Sequence, residues 1–207
     1  GVTSFKAYMN ITRDELKVAI DEAHRRGLKL TGHLCSVTYP EAAALGIDDL
    51  EHGFFVNTQL DPGKSPDKCP DSGGDPTLTA MTPGSAAGAA LIKILVDRHV
   101  AVTSTLPVFE DASPAYKILP PRQLELLTAE ARTAYLYGFA RVGRRSDAAR
   151  AELATLWTNE LAMERAFVAA GGLLLAGPDP TGDGHVLPGF GDQRAIELLV
   201  DAGFTPL

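Results

Sequence analysis

Two short apolar segments, each ending at a histidine, set the tightest constraint on how this chain can fold. Lys29-Leu30-Thr31-Gly32-His33 and Asp49-Leu50-Glu51-His52-Gly53 both read as strands. Between them, Pro40-Glu41-Ala42-Ala43-Ala44-Leu45-Gly46 reads as a short helix closed by glycine. Strand, helix, strand is the connection that joins parallel neighbours, and it places both strand C-termini on one rim. A closed parallel barrel builds its active site at that rim. Two imidazoles meeting there are natural ligands for one metal ion.

The rest of the chain reads as further units of the same kind. Residues 4–9 are predicted to be a buried strand with Lys6 inside it, an arrangement that is costly unless the lysine is paired or modified. Thr12 and Glu15 form a capping box opening a helix, with Leu16, Ala19, Ile20 and Ala23 on its apolar face and Gly27 at its end. His24 falls on the exposed side of that helix. Residues 56–84 carry Pro62, Gly63, Pro66, Pro70, Gly73, Gly74, Pro76, Pro83 and Gly84, which predicts a long irregular loop over the catalytic rim. Ser85 caps a helix running to Arg98. His99 precedes the fourth strand, residues 101–106, and so belongs to the opposite rim in a structural role. Two long helices are predicted over 121–145 and 147–170, the second with Leu153, Leu156, Trp157, Leu161 and Phe167 on one face. A fifth strand, 172–177, ends in Pro178-Asp179-Pro180; a glycine-rich loop carrying His185 and a last helix over 191–202 follow.

A net charge of −7, with no basic cluster denser than Arg141, Arg144, Arg145 and Arg150, argues against nucleic acid as a partner. No apolar run approaches the ~20 residues that span a bilayer, so no membrane partner is expected. A small-molecule substrate is expected, and a homo-oligomer is compatible with the sequence. Cys35 and Cys69 form no CxxC pair, so no disulfide framework is suggested, and Cys35 reads as a buried free thiol. Gly1 opens directly in a strand with no methionine or leader before it. A signal peptide is therefore left open, with the cytoplasm as the default location.

Four residues thus stand at strand ends in the order Lys6, His33, His52, Asp179. In Ser4-Phe5-Lys6-Ala7-Tyr8, Thr31-Gly32-His33, Glu51-His52-Gly53 and Ala176-Gly177-Pro178-Asp179 the chain resembles the amidohydrolase superfamily, and most of all its imidazolonepropionase-like and dipeptidase-like branch. The segment from Gly191 to Gly203 is similar to the helix after the last strand in that branch. The resemblance implies an α/β fold, part of a TIM (β/α)8 barrel from strand four to strand eight. An irregular insert would follow strand six and a helical insert strand seven, with residues 1–207 as one portion of a single domain. It also implies one or two divalent metal ions, usually zinc. Lys6 would be carbamylated and bridge two metals. His33 and His52 would bind the second metal, and Asp179 would bind the first and move the proton of the attacking water. The implied reaction is hydrolysis of a C–N bond, in an amide, dipeptide or cyclic amide, by metal-activated hydroxide. His185 and Tyr8 are candidate substrate contacts.

The sequence departs from the family pattern in two ways. No two histidines lie two residues apart, so the family's first-strand His-x-His motif is absent, and prolines flank Asp179. The expectation that follows is a barrel portion beginning at strand four. Expressed alone, it would be inactive and aggregation-prone for want of strand partners. Two rival readings use the same residues. One is a Schiff-base lyase or aldolase with Lys6 as nucleophile, which leaves His33, His52 and Asp179 without a common task. The other is a degenerate barrel acting as a non-enzymatic binding module.

Overall fold

A computed structural model describes residues 1–180 and 186–205. Among these, five strands form one sheet in the order β1-β2-β3-β4-β5. They are β1 Ser4–Ala7, β2 Lys29–Gly32, β3 Asp49–Glu51, β4 Ala101–Ser104 and β5 Leu174–Ala176. The pairs from β1 to β4 are all parallel. Spatial order follows chain order without reversal, so the sheet has no switch point of the doubly wound kind.

The chain divides into two compact units. The first comprises Gly1–Ser104 and Asn159–Leu175, the second Thr105–Thr158 and Ala176–Leu207. In the first unit, α1 (Arg13–Arg25) starts at the Thr12 capping box, where Glu15 answers the Thr12 backbone N–H at 2.9 Å. Its residues Leu16, Ile20 and Ala23 are buried, as their spacing requires. Then come α2 (Tyr39–Leu45), which ends on Gly46 in the left-handed region, α3 (Asp75–Ala80) and α4 (Ala86–Asp97), whose N-cap is Ser85. On the sheet, Leu30, Leu50 and Val102 point the same way and are almost wholly buried, forming the apolar layer beneath these helices. His24 is half-exposed and pairs with Asp48 at 2.8 Å.

The second unit holds α5 (Leu106–Phe109), a single 3-10 turn at Glu110–Ala112, α6 (Pro121–Leu124), α7 (Ala129–Val142), the first half of α8 (Asp147–Ala169) and α9 (Phe190–Asp201). The single long helix expected over 121–145 is broken. Pro120 and Pro121 open a short α6, and Thr128 caps α7 afresh through Ala131 N. Arg194 ties α9 to Glu110 at 2.7 Å.

The loop 56–84 is more ordered than its prolines and glycines suggest. Asp61, nearly buried, accepts from Ser72 Oγ at 2.6 Å, Gly74 N at 2.9 Å and Thr77 N at 3.0 Å. Asp67 takes a two-pronged grip from Arg13, Nε to Oδ1 at 3.0 Å and Nη2 to Oδ2 at 3.1 Å. Cys69 is joined to Cys35 by a disulfide, with Cα atoms 4.9 Å apart across 34 residues. The free-thiol reading of Cys35 is therefore wrong. Pairing of distant cysteines depends on where the loop returns, which sequence spacing does not reveal.

Candidate active site

Strand pairing sets one row of polar side chains on the sheet face opposite the helices. Lys6 lies beside Thr31, Thr31 beside Asp49, and Glu51 beside Thr103. Alternation along β3 turns Asp49 and Glu51 to this face and Leu50 to the other. The row is internally connected. Lys6 Nζ forms an ion pair with Glu51, Thr31 Oγ1 donates to Glu51 Oε1 at 2.6 Å, and Thr103 Oγ1 donates to Asp49 Oδ2 at 2.8 Å. Asp49 is only 7% exposed. Burial, only partly offset by the Thr103 hydrogen bond, pushes its carboxyl up to about 6.

Lys6 corrects one expectation. Its side chain is 38% exposed rather than buried, and β1 is exposed at Ser4, Phe5 and Lys6. Among the described residues, β1 pairs with β2 alone. The charge is met by Glu51, two strands away.

His33 follows β2 directly, its N–H donating to Ala7 O at 3.1 Å. His52 follows β3 directly. The two rings lie 4.3 Å apart, centroid to centroid, at 69°. Tyr8 also meets His33, ring to ring at 4.9 Å, and is itself exposed. His52 is 2% exposed and has φ +71°, followed by Gly53 at +58°. A left-handed histidine costs on the order of 1–3 kcal/mol and persists only where its surroundings hold it. Here Tyr39 OH donates to the Gly53 carbonyl at 2.8 Å, and Gly53 N donates to Thr103 O at 2.9 Å.

The third hold on this turn comes from α8. Glu160 and Glu164 are both 0% exposed. The Glu160 oxygens accept the Phe54 N–H at 2.9 and 3.0 Å. Burial, and then the neighbouring Glu164, raise the Glu160 carboxyl well above the usual range; burial likewise raises Glu164. Sequence reading passed over both residues, although a signal was present. They fall in the stripe of Leu156, Trp157, Met163 and Phe167, the buried side of α8. Glu51 and Asp49 were likewise not assigned a role, although acidic residues flanking Leu50 in a strand must share a face.

Asp179 lies in the second unit, three residues past β5, with φ +41°. His185 lies outside the described residues. Two imidazoles at 4.3 Å suit two positions in the shell of a divalent ion. Among the described residues, no three His, Cys, Asp or Glu side chains are grouped so as to hold a metal.

No protein-family model and no curated protein sequence matches the chain. Solved structures do. One is a bottromycin amidohydrolase, with TM-score 0.69 and 20% identity over 100% of this chain and 43% of that one. A second is an A. niger ochratoxinase, with TM-score 0.58 and 15% identity over 100% of this chain and 36% of that one. A third is described as an amidohydrolase, with TM-score 0.53 and 13% identity over 97% of this chain and 38% of that one. The chain thus spans less than half the length of each. Over nearly all of its length, it has the fold of part of solved amidohydrolases, the family whose strand-end motifs its sequence resembles.

Proposed function

We propose that this chain is the portion of a (β/α)8 barrel from strand four to strand eight, belonging to a hydrolase of the amidohydrolase superfamily that cleaves a C–N bond in a small-molecule amide, dipeptide or cyclic amide. The observation that carries this reading is the His33–His52 ring pair at successive strand ends. The parallel sheet in chain order and the likeness to solved amidohydrolases support it.

In this reading His33 and His52 hold a divalent ion, zinc by preference for imidazole ligands. When bound, the ion supplies Lewis acidity and lowers the pKa of water to near ~7. Asp179 takes the proton of the attacking water and delivers it to the leaving amine. Tyr8, exposed beside His33, contacts the substrate, with His185 as a second contact. Lys6 as a carbamate is a further ligand. That modification would set an anion against Glu51, so the pair must part or a cation must lie between them. The Schiff-base alternative is less well supported, because the Lys6 ammonium is taken up by Glu51 and the histidine pair has no task in it. A binding module without catalysis leaves the same pair unexplained.

The Cys35–Cys69 disulfide favours an oxidising compartment over the cytoplasm. No helix among the described residues is long and apolar enough to cross a membrane. The test is metal analysis joined to amide hydrolysis in the full protein that contains this chain. Stoichiometric zinc and amidase activity, both lost in His52→Ala, are expected. Activity that survives complete metal removal would overturn the reading.

A further inference from the structure

Glu160 has no part in the reaction outlined above, yet it is fully buried and in contact with the loop that follows β3. A buried carboxyl group, whichever protonation state it holds, is costly unless it has a hydrogen-bond partner. Glu160 finds one in the N–H of Phe54, which it meets with both oxygens. It also fills the space beside Gly53. A Cβ built on Gly53 would fall 1.8 Å from Glu160 Oε1 and 3.0 Å from Glu164 Oε1. The chain passes this point through two successive left-handed residues, His52 and Gly53. Tyr39 holds the carbonyl side of the turn and Glu160 the N–H side. Removing either hold frees a turn that histidine does not adopt by preference.

We propose that Glu160 is a positioning residue: by binding the Phe54 N–H and occupying the space beside Gly53, it fixes the left-handed His52–Gly53 turn and so sets the His52 ring against His33. The role of the two rings as metal ligands rests on the proposed function, whereas the geometry of the rings does not. Glu160 acts through the backbone and touches no substrate.

The test reads the rings directly. Carbon–proton NMR of the imidazole groups is recorded on the full protein, with His33 and His52 assigned from His33→Gln and His52→Gln. In Glu160→Ala the His52 signals shift, and the His33 signals shift with them through the ring contact, while those of half-exposed His24 and of His99 stay in place. Glu160→Gln keeps a carbonyl oxygen for Phe54 N–H and restores most of the wild-type pattern. Cobalt(II) titration gives a second readout. Affinity falls about ten- to hundredfold in Glu160→Ala, the range for partners that orient metal ligands, and recovers in Glu160→Gln. Unmoved His33 and His52 signals in folded Glu160→Ala would overturn the proposal, as would an equal displacement of all the histidines. If Glu160→Ala does not fold, Glu160→Asp, which draws the carboxylate back, is compared with Glu160→Gln. The aspartate variant shifts the two rings and the glutamine variant does not, and wild-type spectra in both would refute the assignment. A wild-type protein that binds no cobalt sinks the hydrolase reading and leaves the ring shifts to decide on Glu160 alone.

Discussion

Lys6 and Glu51 form an ion pair across β2, and Thr31, on the strand between them, donates its hydroxyl to the same carboxylate. A lysine of β1 is thereby tied to the residue immediately before His52. In the family resemblance this lysine is the metal-bridging carbamate. In the fold it is a cation paired with Glu51, and the two states make different demands on that carboxylate.

Lys6→Ala is expected to lower activity strongly, with partial recovery when short carboxylic acids are added to replace the bridge. Normal activity and metal content in Lys6→Ala without added acid would remove Lys6 from the site and leave it as the structural partner of Glu51.

His33→Ala and His52→Ala should each lower metal content and activity together. The rings stand 4.3 Å apart, so loss of either leaves the ion one imidazole short. Metal analysis after dialysis checks this, and full occupancy in both variants would exclude the pair as ligands.

Asp49 makes stability depend on pH. Burial raises its carboxyl from 3.8 to about 6 in the folded protein, so the folded state holds the proton more tightly than the unfolded chain does. Its contribution is fully present below the unfolded value and is lost as pH rises through the folded one. The loss amounts to roughly 2–3 kcal/mol between about pH 4 and pH 6. Urea unfolding across that window should show a downward slope that flattens in Asp49→Asn. An unchanged slope would mean that the buried carboxyl does not titrate there.

Reduction of Cys35–Cys69 should release the loop between β3 and α4. The bridge closes a segment of 34 residues, for which chain entropy predicts a stabilisation of about 3–4 kcal/mol. Cys35→Ser with Cys69→Ser should therefore lower the unfolding temperature and expose the 56–84 loop to proteolysis. The Asp61 and Arg13–Asp67 contacts should keep part of it protected. Proteolysis at the wild-type rate would show that those polar contacts suffice.

The features legible along the chain are local ones. The Thr12 capping box, the Ser85 cap, the Gly46 stop and the apolar spacing of Leu16, Ile20 and Ala23 all act within one or two helical turns. Each appears in the fold where its neighbours in the chain dictate. The positions of His33 and His52 just past two strands were legible for the same reason, because strand and helix periods can be counted along the chain. Pairing between distant segments was left to the tertiary structure. Glu160 meets Phe54 across 106 residues, Cys69 returns to Cys35 across 34, and Lys6 reaches Glu51 only because β2 lies between them in register. Such contacts depend on strand order and crossover geometry. No property of the residues taken singly encodes these, so the partner of Lys6 stayed open in the sequence, and a free thiol was a local reading that the disulfide-pinned loop reversed.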